Sequence, residues 1–245
     1  MNKLNLDYFE IGELGPAVVM LHGWGMSKEC FKKLVPNINQ NQKIIGLDFF
    51  GFGASSEPAD YFDTYEYAYS VFVFLKRKNI KSSCLIGHSF GGRICIILSS
   101  AFDLNISGLV LTSSAGINRF DFVKELKILK YKILKGMCKI NLVSLNVLKK
   151  YGSSDYKNLN DTMKKVFVKV VNQDLKYLLP NINAFANLVW DKNDHETPYY
   201  ICKTLNKYIK NSHTFLFKTG GHFAFLYNNC KFSKIVNGVI NSCKI

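Results

Sequence analysis

"CLIGHSFGGRICIIL", residues 84–98, sets one serine between two glycines at the point where an apolar run changes its period. Before Ser89 the run is short and aliphatic, as a buried strand is; after it the apolar residues return at helical spacing. A serine at such a strand-to-helix turn takes strained backbone angles and lifts its hydroxyl clear of the sheet. Side chains two positions away on either side would crowd one another, which calls for Gly87 and Gly91. The helix opening at this turn points its first N–H groups towards the serine, an arrangement suited to holding an oxyanion. A glycine-rich turn with a helix-capping serine is the plain alternative.

Working outward, the first half of the chain alternates strand-like and helix-like runs. "AVVML" (17–21), "KIIGL" (43–47), "SCLIG" (83–87) and "SGLVLT" (107–112) are β-branched or aliphatic and bounded by turn residues. Residues 64–78 and 92–102 carry helical spacing between them. This rhythm predicts an α/β fold, a mostly parallel twisted sheet flanked by helices, with "LDYFEI" (6–11) as an edge strand. The rhythm breaks after residue 116, where the sequence turns Lys-rich and helical to about Pro180. It resumes with a strand in 184–190, a helix near 199–210, a strand in 214–218 and a closing helix near 231–242. The predicted organisation is therefore one core, 1–116 with 181–245, interrupted by a helical insertion over 117–180.

A chain of 245 residues, 48% hydrophobic, can bury a full core. The first residues lack a basic start followed by an apolar stretch, and the run "VFVFL" is far too short to cross a bilayer. The reading is a soluble cytoplasmic protein. Seven scattered cysteines, none in CxxC spacing or near a His at metal-ligand spacing, read as reduced thiols, so no metal is expected. The net charge of +14 suggests nucleic acid at first sight, but no basic run exceeds "KRK" at 76–78 and no aromatic stacking motif accompanies it. Nucleic-acid binding is not expected. The charge is uneven: residues 116–180 hold 14 Lys and Arg against 5 Asp and Glu.

A serine hydroxyl needs a base to react at neutral pH. Five histidines are available. His88 lies in the turn itself and His22 at a strand end, while His195 sits in a polar loop and His213 precedes a strand. His222, in "TGGHFAF", follows the last strand in a glycine-flanked loop at the sheet's carboxyl edge, which favours it. The imidazole then needs a carboxylate. "LVWDKNDHETP" places Asp194 in the loop after a strand, with Asp191 as the competitor nearer the strand end. Two backbone donors would hold the oxyanion: the N–H of Phe90, and that of Trp24 in the glycine-flanked "HGWG".

The chain resembles the α/β-hydrolase superfamily, specifically its serine carboxylesterase-like members with a helical cap. The resemblance rests on "LHGWG" (21–25), "LDFFGFGASSEP" (47–58), "GHSFGG" (87–92), "WDKNDHETP" (190–198) and "GGHF" (220–223). It implies the α/β-hydrolase fold, the triad order Ser89, Asp194, His222, and a structural role for Asp48. It also implies a cap at the position of the 117–180 insertion. Asp191 departs from the glycine common at that place. The resemblance of "HGWG" to a carboxylesterase acting on a pimeloyl ester, together with the basic cap, implies an acidic acyl carrier protein as a partner.

The implied activity is cleavage of a carboxylic ester of a small or medium acyl substrate through an acyl-serine, with no cofactor. Phe120, Phe122, Phe223 and Phe225 are candidates to line an acyl pocket, or ordinary core. The same groups would serve a C–C bond hydrolase, a thioesterase, an amidase or an acyltransferase. A ligand-binding receptor on a hydrolase scaffold, and a basic adaptor that docks nucleic acid or anionic membrane through the cap, are the alternatives of other classes.

Overall fold

A computed structural model of the chain describes residues 5–39, 41–59, 61–80, 82–118 and 154–242, with isolated positions between 130 and 147. Its strands are β1 (Tyr8–Ile11), β2 (Leu14–Leu21), β3 (Gln42–Leu47), β4 (Ser82–His88), β5 (Asn105–Thr112), β6 (Ala186–Asp191) and β7 (Ser212–Phe217). They form one sheet in the order β1-β3-β2-β4-β5-β6-β7. β1 is the antiparallel edge strand and every other pairing is parallel.

Period-two alternation supplies two separate apolar layers, one on each face of the sheet. Val19, Leu21, Leu85, Leu109, Leu111, Leu188 and Trp190 belong to one buried cluster. Val18, Met20, Cys84, Ile86, Val110 and Val189 belong to the other. Helices α1 (Thr64–Arg77), α2 (Phe90–Ala101), α3 (Asp161–Asn172) and α4 (Tyr200–Tyr208) cover the first layer; α5 (Asn229–Ser242) covers the second. α1 shows why such segments are helical. Asp63 caps it, accepting from Tyr65 N–H at 2.7 Å and Glu66 N–H at 3.1 Å, and Tyr67, Ala68, Val71 and Leu75 form its buried stripe.

Much of the predicted 117–180 insertion, including Phe120 and Phe122, lies outside the described residues, as does Cys243. The described part from 154 onward is helical: the turn Ser154–Lys157, α3, and the 3-10 turn Lys176–Asn181. α3 is tied to α2 by buried Arg93, whose guanidinium donates to Gln173 O at 2.6 Å and Val171 O at 3.5 Å. A cation there meets the carbonyl end of α3, where the helix field is negative. Among the described residues no helix is long and apolar enough to cross a membrane.

Candidate active site

β4 ends at His88 and α2 begins at Phe90, so Ser89 alone makes the turn, at φ +49° and ψ −108°. This is costly backbone for an L-residue and is held by its neighbours. Ser89 N–H donates to Thr112 O at 3.2 Å, and Ser89 O accepts from Gly92 N–H and Ala115 N–H, each at 3.0 Å. A Cβ on Gly87 would meet Gly91 O and Gly92 Cα at 2.7 Å, the crowding expected from the motif. Gly91 has a different reason. Its Cβ would lie 2.0 Å from Leu21 O, so it lets α2 sit directly on the end of β2.

The carboxyl end of β2 leads into a turn closed by Met26 N–H on Gly23 O at 3.1 Å, with Trp24 and Gly25 at its tip. His22 braces this turn: Nδ1–H donates to Gly23 O at 2.8 Å and Nε2 accepts from Phe49 N–H at 3.1 Å. Burial lowers its imidazole to about 4, so it stays neutral in this role. The Trp24 ring stands edge-on to Phe90, centroids 5.3 Å apart, and to Phe167 of α3 at 5.0 Å. Trp24 and Phe90 are thus brought together, and α3 packs over them. Phe90, as the first helical residue, has no intrahelical acceptor for its N–H.

Asp194 and His222 meet after β6 and β7. His222 Nδ1 lies 3.0 Å from Asp194 Oδ2, both side chains being buried. Asp194 Oδ1 also accepts from the N–H groups of Glu196 and Thr197, each at 2.9 Å. Thr197 Oγ1 is 2.7 Å from Asp194 Oδ2 and 3.0 Å from Ser113 O, both acceptors for its hydrogen. Burial disfavours this carboxylate, but the hydrogen bonds from His222 and from the Thr197 hydroxyl and N–H outweigh it. They hold the group down at about 2. Trp190 Nε1–H donates to Thr197 O at 2.7 Å and closes the loop.

Two residues outside the expected set position His222. Asp191 Oδ2 accepts from Gly221 N–H at 2.9 Å, so the competing aspartate grips the histidine's loop while Asp194 takes the ring. His88 is buried, and its Nε2–H donates to His222 O at 3.0 Å. That bond ties the residue before Ser89 to the residue that carries the imidazole. Burial, with His222 adjacent, lowers His88 to about 3 and keeps it neutral. Thr197 and the Asp191–Gly221 bond escape the sequence reading, although the D-x-x-T spacing is itself a turn signature. His195 and His213 take no part in this cluster.

Ser89 Oγ makes no hydrogen bond among the described residues; His222 Nε2 faces Glu196 Oε2 at 3.4 Å. Phe225 is fully buried in the second apolar layer and is core, not pocket lining; Phe223 is partly buried against His88 and His222. Asp48 is structural: buried, it accepts from Lys28 N–H at 2.6 Å, Lys28 Nζ at 2.7 Å and Ala54 N–H at 3.0 Å. Among the described residues no three His, Cys, Asp or Glu side chains are grouped to hold a metal ion. A separate cavity of about 300 Å³ between α1 and the 50–62 loop shares no lining residue with this cluster.

The chain matches the family model for the alpha/beta hydrolase fold over residues 16–137. It is 25% identical over 225 residues to the hydrolase YugF of Bacillus subtilis, covering 84% of this chain and 82% of that one. It is 28% identical over 120 residues to a 1-acylglycerol-3-phosphate O-acyltransferase of Arabidopsis thaliana, covering 47% of this chain. There it spans only 29% of the relative's length. Among solved structures, an esterase (EaEST) from Exiguobacterium antarcticum superposes with a TM-score of 0.74 at 22% identity, covering 96% of this chain and 95% of the other. With its sheet order and the family match together, this chain belongs to the α/β-hydrolase superfamily.

Proposed function

We propose that the protein is a serine hydrolase that cleaves a carboxylic ester of a small or medium acyl substrate through an acyl-serine. The observation that carries this reading is the bond from His88 to the His222 carbonyl: it couples the strained Ser89 turn to a histidine whose ring Nδ1 is held by Asp194. His222 Nε2 takes the proton from Ser89 Oγ as that oxygen bonds to the ester carbonyl carbon. The carbonyl electron pair moves onto oxygen, which the N–H groups of Trp24 and Phe90 receive. Collapse breaks the bond to the alcohol oxygen, which leaves with the proton from His222. Water, deprotonated by the same nitrogen, then releases the acid and restores Ser89. Asp194 stabilises the imidazolium throughout.

The test is turnover of p-nitrophenyl esters graded from acetate to dodecanoate by the wild-type chain and by Ser89→Ala. A loss of at least about a thousandfold in kcat/KM, with one chain-length optimum, is the expected result. Equal turnover by both chains would remove Ser89 from the chemistry. The basic excess of residues 116–180 supports an acidic acyl carrier protein as the carrier of the ester. An acyl-carrier ester that is cleaved faster than its free counterpart at low salt, and equally at high salt, is the corresponding check.

A further inference from the structure

We propose that Glu196 makes the leaving-group side of this site selective for alcohols that carry a positive charge. The inference rests on the hydrolase reading above. Asp194 occupies Nδ1 of His222, so Nε2 is the nitrogen that returns its proton to the departing alcohol oxygen. That oxygen must come within hydrogen-bond reach of Nε2, about 3 Å. Glu196 Oε2 already stands 3.4 Å from the same atom. The substituents nearest the leaving oxygen therefore pass beside a carboxylate.

The backbone that presents this carboxylate is held in place. Glu196 N–H donates to Asp194 Oδ1 at 2.9 Å, and the next residue, Thr197, is bonded to Asp194 and Ser113, so only the side chain of Glu196 is free to swing. The side chain is 63% exposed, within reach of an entering ligand. Its carboxylate has no partner besides His222 among the described residues, whereas the Asp194 carboxylate is taken up by its own donors. An ammonium group on the alcohol pairs with this carboxylate as the leaving oxygen reaches Nε2, whereas a neutral alcohol has no such partner.

The matched probes are acetylcholine and 3,3-dimethylbutyl acetate, which differ in a quaternary nitrogen against a quaternary carbon. The reading is the ratio of their kcat/KM values, in the wild-type chain and in Glu196→Gln and Glu196→Lys. The expected ratio falls about two- to fivefold in Glu196→Gln, the range for one exposed charge pair, and further in Glu196→Lys. The long-range field of the basic chain acts on all three proteins alike, so the comparison isolates the local carboxylate. An unchanged ratio in both variants, with Ser89-dependent turnover of the neutral ester intact, would overturn this inference and leave the hydrolase reading standing. Absence of Ser89-dependent turnover of either ester by the wild-type chain would overturn both.

Discussion

Replacing Asp194 by Asn tests the energetics of the acid–base loop and its chemistry together. Burial works against the carboxylate, yet its donors hold it at about 2 against an ordinary 3.8. A depression of that size contributes about 2 kcal/mol of folding stability once the group is ionised in both states. The sign follows from proton binding. As pH falls the unfolded chain takes up the proton first, so the contribution is complete above about pH 4. It is lost as pH falls through the folded-state value of about 2. Urea unfolding of the wild-type chain and Asp194→Asn, repeated from neutral pH downward, reads this as a difference in which the other carboxylates cancel. The gap between the two is expected to narrow by about 2 kcal/mol across that window. A gap that is the same at every pH would refute the reasoning, because the donors would then exert no net pull on the proton. At neutral pH the same substitution removes the anion that orients His222, and ester turnover is expected to drop by about 10⁴-fold.

Two further substitutions separate strain from charge. Ser89→Gly relieves the left-handed turn and removes a hydroxyl that makes no hydrogen bond among the described residues; it is expected to raise stability by about 1 kcal/mol in urea while abolishing ester turnover. A less stable glycine variant would contradict the claim of strain. Lys28→Met strands the buried Asp48 carboxylate and is expected to cost about 3 kcal/mol, part of which the second change Asp48→Asn restores. No recovery in the double variant, measured by thermal unfolding, would count against the charge account.

The strands and the serine turn were readable because their signals are local: short aliphatic runs bounded by turn residues, and two glycines around Ser89. Contacts that join distant segments were not. Gly91 looked like a neighbour of Gly87, but its lost Cβ makes room for the Leu21 carbonyl, which no spacing within the motif reveals. Asp191 and Asp194 could be ranked by position, whereas the grip of Asp191 on Gly221 N–H crosses 30 residues. His88 alternates away from the serine along β4, and its acceptor, the His222 carbonyl, lies 134 residues onward. For residues 119–129 the reading remains one of composition and periodicity, since they lie outside the described set.

The order of strands in the sheet has a consequence for how the protein comes into being. The serine turn is carried by β4 near the middle of the sheet, but the loop with Asp194 follows β6 and the histidine follows β7, the opposite edge from β1. A chain emerging from the ribosome lays down the Ser89 turn more than a hundred residues before His222. Until β7 docks along β6, the strained Ser89 turn stands without the His222 loop beside it. On the proposed reading, reactivity therefore waits for the closing edge of the sheet and arrives together with it.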